Sequence, residues 1–312
     1  MTARVEVPSY DDLPELPGLG LRHAWDVLDH DLGSLSFLDD ERRRTAAAEV
    51  TRGESISLNL PLDELDPPLF GRARLEHSVI AVGRNTHEDV LDGFNPQAGS
   101  QWDGLRHVRA REHGFFGGTL DLEADPGPLG IQHWARQGIV GRGVLLDLAR
   151  WSAQVGRPID PLAGTEITAD DLEACAEAQG VALRDGDVLC LRTGWVAAYR
   201  ALDANARAAD DLGKSFSGLR ADEAVARFVW DHRLAAVCVD NPALESAPGD
   251  PAVGSLHRRL IPMLGTAVAE LLDLDHLARR CADLDRSTFL FVAVPLPLTG
   301  GVSSPSNALA VL

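Results

Sequence analysis

Apolar residues along this chain come in short runs separated by turn-formers, and helical and strand-like patterns alternate from end to end. "LDDERRRTAAAEVTRGESISL" is rich in good helix formers and predicts a helix that starts after Leu38 and stops at Gly53. The following "SISLNLPL" is strand-like. "HSVIAVG" (77–83) and "RGVLLDLA" (142–149) are brief apolar runs bounded by glycine or charge, which predicts buried strands. "TADDLEACAEAQG" carries Thr168 as an N-cap, Asp171 in capping-box position and Gly180 to close a helix. Beyond it, "DGDVLCLRTGW" reads as a turn feeding a strand, "ADEAVARFVWDH" as a helix and "LAAVCVDNP" as a strand. "TAVAELLDLDHLARRC" then reads as a helix and "STFLFVAVPLPLTGG" as a final strand. Such mixing through the whole length is an α/β pattern.

Residues 1–24, rich in Pro, Asp and Gly, predict an irregular arm laid over the surface. No repeat, low-complexity segment or dividing linker follows, so residues 25–312 are expected to form one catalytic domain. The loop richest in turn-formers, "DNPALESAPGDPAVGS" (240–255), lies between a strand and a histidine and reads as an active-site loop.

Charge narrows the partners. Lys+Arg 29 against Asp+Glu 47 gives 29 − 47 = −18, a surface that repels phosphate backbones and anionic lipid. The expected partner is a small-molecule substrate, with no nucleic acid and no membrane. No apolar run approaches the roughly 18 residues of a membrane span, and the N-terminus lacks a signal peptide's apolar core, so a cytoplasmic location is expected. Cys175, Cys190, Cys238 and Cys281 lie far apart among apolar neighbours, as buried free thiols would. No G-x-S-x-G elbow or G-K-[ST] phosphate loop is present.

The chemistry concentrates in "NPQAGSQWDGLRHV" (95–108), where Gln97, Gln101, Asp103 and His107 recur at offsets of 4, 6 and 10. Residues two apart on an extended strand share a face, so an extended 97–103 points Gln97, Gln101 and Asp103 the same way and Trp102 the other. Gly99 leaves room on that face, and Gly104 allows a turn that folds Arg106 and His107 back over it. An edge strand with its polar face in water has the same pattern. Far downstream, "SLHRRLIPMLGTAVAELLDL" carries His257 and Glu270 on two pieces broken at Pro262 and Gly265. Facing Asp103, two helical pieces would complete a three-ligand N/O set suited to Zn²⁺ or Mn²⁺.

These blocks resemble the cyclase family of metal-dependent hydrolases, which includes bacterial kynurenine formamidases and isatin hydrolase. The family signature His-x-Gly-Thr-His-x-Asp-x-Pro-x-His falls on "QAGSQWDGLRH", which keeps Gly99, Asp103 and His107 and has Gln97 and Gln101 in place of two histidines. "GIVGRGVLLDLA", "GDVLCLRTGW", "LHRRLIPMLGTAVAELLDL" and "PLPLTGGVSSPSNALAVL" resemble later blocks in the same order, and "SQWDGLRH" is similar to a glutamine-bearing subgroup.

The resemblance implies a swivelling β/β/α cyclase-like fold, with a mixed central sheet or barrel-like core flanked by helices. It implies one divalent metal ion (Mn or Zn) held by Asp103, His257 and Glu270, with Gln101 and Gln97 as extra ligands or nearby donors. With both early histidines replaced, that site is reduced or even lost. His107 stands at the acid/base position. Read from the residues themselves, Trp102, Trp195, Phe115 and Phe116 are candidates for an apolar substrate wall, with core packing the favoured role of each ring, and Arg106 is a further substrate-binding candidate. The implied activity is arylformamidase-like hydrolysis of an amide, lactam or lactone in a small aromatic or cyclic substrate, by a homodimer or homotetramer. A non-hydrolytic lyase, dehydratase or cyclase on the same fold is the alternative, and a non-catalytic binding protein the third reading.

Overall fold

The computed structural model describes residues 7–120, 125–209 and 211–312. Residues 1–6 of the predicted arm lie outside them. Nine strands form one curled mixed sheet flanked by helices. In chain order they are β1 (Ser55–Ser57), β2 (Gln101–Asp103), β3 (Ile139–Leu146), β4 (Val188–Leu191), β5 (Ala236–Val239), β6 (Ala267–Glu270), β7 (Thr288–Ala293), β8 (Ser303–Pro305) and β9 (Ala308–Val311). Across the sheet the order is β8-β2-β6-β5-β4-β3-β7-β9-β1. The four central strands β3, β4, β5 and β6 run parallel, and antiparallel strands extend the sheet on both sides.

Parallel strands covered on both faces need apolar side chains at every position. The sequences "VLCL", "AVCV" and "AVAE" of β4, β5 and β6 are buried throughout. Helices Ala169–Ala178, Glu223–Asp231 and Asp275–Leu284 present buried Leu172, Val225, Phe228, Leu277 and Cys281 as part of that core. The predicted capping box is formed: Thr168 accepts from the Asp171 amide at 3.2 Å, and Asp171 accepts from the Thr168 amide at 3.0 Å. Residues 7–24 of the arm are pinned to the body. The Tyr10 amide donates to Asp231 at 2.7 Å, and the Ala24 amide donates to the Met263 carbonyl at 2.8 Å.

Three expectations from pattern alone are corrected. The helix predicted at "TAVAELLDLDHLARRC" splits into β6 and helix Asp275–Leu284. Residues 267–270 fit between β5 and β2, where the small apolar Ala267, Val268 and Ala269 suit a strand, and Leu271 turns the chain at φ +55°. "STFLFVAVPLPLTGG" is not the last strand, since β8 and β9 follow it. The run "HSVIAVG" is a strand, Glu76–Gly83, yet an exposed one. It pairs with Thr86–Asp92 in a hairpin that no third strand joins, and run length alone does not separate that case from a core strand. No helix among the described residues is long and apolar enough to cross a membrane.

Candidate metal centre

Register builds the site. Strand β2 lies between β8 and β6, with Gln101 opposite Glu270 and Asp103 opposite Val268. Facing residues of an antiparallel pair share a side of the sheet, so Gln101, Asp103 and Glu270 emerge together. The Gln101 amide donates to Glu270 Oε2 at 2.7 Å and stands 3.5 Å from Asp103 Oδ2. Trp102 points the opposite way, as alternation requires, and packs edge-on to Trp134 and Phe291 with its Nε1 donating to the Ser306 carbonyl. Gln97 arrives from a 3₁₀ turn, Pro96–Ala98, rather than from an extended strand. Its amide still reaches the cluster, donating to Asp103 Oδ1 at 2.8 Å and lying 3.2 Å from His107 Nδ1. The turn at Gly104, closed by the His107 amide on the Gly104 carbonyl, folds His107 back until Nε2 is 3.8 Å from Asp103 Oδ1.

His257 enters from the short helix Leu256–Arg258, and the chain runs on through an irregular turn, Arg259–Leu264, into β6. The reversal depends on Gly265 at φ +68°, where a Cβ would strike the Phe116 ring at 2.7 Å. His257 Nε2 stands 3.0 Å from Glu270 Oε1 and 3.8 Å from Asp103 Oδ2. Glu270 is therefore presented by a strand, not by the helical piece expected from the sequence. The other ring nitrogen is held by a residue that sequence reasoning did not single out. Glu245 Oε2 lies 2.6 Å from His257 Nδ1, accepts from the His257 amide at 3.1 Å, and its other oxygen accepts from Ser255 at 3.0 Å. Glu245 belongs to the loop read as an active-site loop, and that location was the available signal.

The electrostatics are those of a buried anionic cage. Asp103 and Glu270 are 1% and 2% exposed. Burial, reinforced by the Asp103 charge, pushes the Glu270 carboxyl up to about 7. Burial would depress His257, yet the Glu245, Asp103 and Glu270 carboxylates outweigh it and hold that imidazole well above its ordinary value. His107 is shifted the other way: burial dominates over the attraction of Asp103 and lowers it.

The donor set fits one divalent cation. Ligand atoms of Asp103, His107 and His257 lie within 4.8 Å of one another. Gln101 Oε1 is buried without a hydrogen-bond partner, and Glu270 Oε1 is faced only by His257 Nε2 at 3.0 Å. The Glu245 contact on Nδ1 leaves Nε2 of His257 for the ion, the usual carboxylate–histidine–metal relay. A second cation fits poorly, because the positions beside Asp103 that would hold it carry the neutral amides of Gln97 and Gln101. Replacing the relay carboxylate, Glu245→Gln, is expected to weaken Mn²⁺ or Zn²⁺ affinity by about 10–100-fold in a chelator titration while the fold persists.

Several residues expected on the substrate wall lie elsewhere. Trp102, Phe116 and Trp195 are fully buried, and Trp195 stacks on Tyr199 in a separate apolar cluster with Leu60 and Phe216. Packing supplies each ring with neighbours on all sides, so none of the three presents a face to a ligand. Arg106 donates to the carbonyls of Asp125, Pro126 and Gly300, tying loops together. Phe115 is half-buried beneath Arg109. A cavity of about 210 Å³ borders the signature segment at Gly99 and Ser100, beside the carboxylate cage rather than over it.

Comparison with known proteins agrees with this architecture. The family model described as "Putative cyclase" matches residues 56–246, more than half of the 312. A solved structure described as a novel cyclase superposes with a TM-score of 0.81 at 29% identity, covering 93% of this chain and 99% of its own. An isatin hydrolase bound to the product analogue thioisatinate gives 0.58 at 16% identity, covering 85% and 94%. Isatin hydrolase A from Ralstonia solanacearum gives 0.59 at 18%, covering 86% and 95%. No functionally curated protein matches the chain. By the extent of the family match, the chain belongs to the cyclase family.

Proposed function

We propose that this protein is a metal-dependent hydrolase that cleaves an amide, lactam or lactone bond in a small substrate, with arylformamidase-like chemistry on C–N bonds. One observation carries the reading. His257 stands between two buried carboxylates with its far nitrogen held by a third, an arrangement costly to keep buried without a cation to balance it. A divalent ion there would act as a Lewis acid, polarising the substrate carbonyl and bringing the pKa of water down to about 7. Asp103, His257 and Glu270 would hold it, with the Gln101 carbonyl oxygen as a further donor. His107 handles the proton. Nδ1 of His107 lies 3.2 Å from the Gln97 amide nitrogen, and Nε2 lies toward Asp103. As a neutral imidazole the ring accepts the attacking water's proton and then returns it to the leaving nitrogen or oxygen.

Two structural proposals accompany the chemistry: residues 25–312 act as one catalytic domain, and the protein assembles as a homodimer or homotetramer. The experiment that tests the function is metal analysis paired with turnover. Protein purified without added ions is expected to hold about one equivalent of Mn, Zn or Fe, and EDTA should abolish hydrolysis of formanilide-type amides or simple lactones until Mn²⁺ or Zn²⁺ is restored. Metal-free protein with full activity and unchanged thermal stability in EDTA overturns it.

A further inference from the structure

The hairpin of Glu76–Gly83 and Thr86–Asp92 is the part of this fold that lacks a cover. Both strands are exposed along their whole length, Val79 to 61%, and no third strand among the described residues joins them. A two-stranded hairpin is marginal in water unless another surface packs on it, and apolar side chains gathered in the open mark contact surfaces. Its base is held in place all the same. Gly93 passes the Arg74 carbonyl at φ +67°, where a Cβ would lie 2.6 Å from that oxygen, and Arg74 is ion-paired to Asp66.

Register sorts the side chains into two faces, because residues opposite one another point the same way. His77, Val79, Asp89 and Leu91 share one face, where His77 Nε2 lies 2.7 Å from Asp89 Oδ1. Glu76, Ile80, Glu88, Val90 and Asp92 share the other. There Glu76 stands directly opposite Asp92, a like-charge pair that costs stability unless a cation sits against it. Among the described residues, Glu76, Glu88 and Asp92 have no cation within ion-pair distance.

Three unpaired carboxylates around Ile80 and Val90 select the occupant. Anionic lipid and nucleic acid are repelled. What fits is a surface that sets unpaired cations beside apolar side chains, and this chain carries one. Arg109 and Arg111 are exposed and, among the described residues, pair with no carboxylate. Arg111 opens the 3₁₀ turn Arg111–His113 at φ +52°. Leu120, 59% exposed, reaches back to that turn, where a Cβ on Gly114 would lie 3.1 Å from its Cδ2. Each copy therefore holds both halves of the match, and two copies exchange them about one two-fold axis.

We propose that the hairpin face bearing Glu76, Glu88 and Asp92 docks on the Arg109–Arg111 turn of a second copy of this chain, in a reciprocal contact. This deepens the assembly proposed above and rests on it.

Sedimentation equilibrium of the full chain tests the contact. Wild type is expected as a dimer or tetramer. E88R/D92R and R109E/R111E should each halve that mass and weaken association by about tenfold or more, with unchanged circular dichroism. Mixing the two variants should restore the wild-type mass, because the reversed hairpin then meets the reversed turn while the other contact stays native. A charge variant that associates like wild type, or a mixture no heavier than its components, overturns the proposal. Should a charge variant fail to fold, I80T/V90T, which keeps strand propensity and charge, decides: association at wild-type strength overturns the proposal, and a halved mass supports it. A wild type that stays monomeric at every concentration sinks the assembly as a whole, whereas an oligomer indifferent to these substitutions sinks this contact alone.

Discussion

Asp103→Asn is expected to abolish turnover and strip the metal, lowering affinity for Mn²⁺ or Zn²⁺ by about 10²–10³-fold or more. The side chain is almost isosteric, so the loss would come from charge and not from shape. Asp103 is the hub of the cage, within 3.8 Å of both histidines and in reach of both glutamine amides. Removing its charge leaves the His257 imidazolium one carboxylate short in a buried setting, where breaking a charge pair costs about 3–5 kcal/mol. It also turns one Asp103 oxygen into an N–H donor that confronts the N–H groups of Gln97 or Gln101. Inductively coupled plasma analysis beside a melting curve checks this. The expected pattern is a metal-free protein that still folds, since β2 keeps its pairing with β6 and β8. Wild-type metal content in the variant would place the ion away from Asp103.

Much of this centre was legible from spacing alone, and the legible parts share a cause. Alternation along β2 fixes that Gln101 and Asp103 face together and Trp102 faces away, whatever the rest of the chain does. The family resemblance then adds His107 from the signature and His257 and Glu270 from a later block, and the structure brings all of them to one place. What stayed hidden depends on tertiary position. Glu270 sits on a strand because the short segment Ala267–Glu270 is slotted between neighbours, and periodicity cannot report neighbours. Glu245 matters because its loop folds under His257. It carries no local pattern that distinguishes it from a surface charge. Trp102, Phe116 and Trp195 take the core-packing role that rings of this size favour.

His107→Ala separates the two roles open to that ring. The structure places its Nε2 close enough to Asp103 and His257 to serve as a ligand, and it also leaves the side chain 28% exposed where Asp103 is 1% exposed. Exposure suits a group that must meet substrate and exchange a proton; a ligand gains from being enclosed. Burial keeps the ring's proton affinity below that of free histidine, so near neutrality it is the uncharged imidazole, able to take up a proton, that faces the centre. His257 is held in the opposite state by three carboxylates and is suited to grip a cation once its proton is displaced. The expected result is a fall in kcat of about 10²–10⁴-fold, the usual worth of a positioned acid/base, with metal content within error of wild type. Imidazole added to the assay should restore part of the rate, since the deletion opens a space of the same shape. A variant that loses its ion together with its activity would make His107 a ligand instead, leave the proton to Glu270 with its carboxyl near 7, and reverse the division of labour between the two histidines.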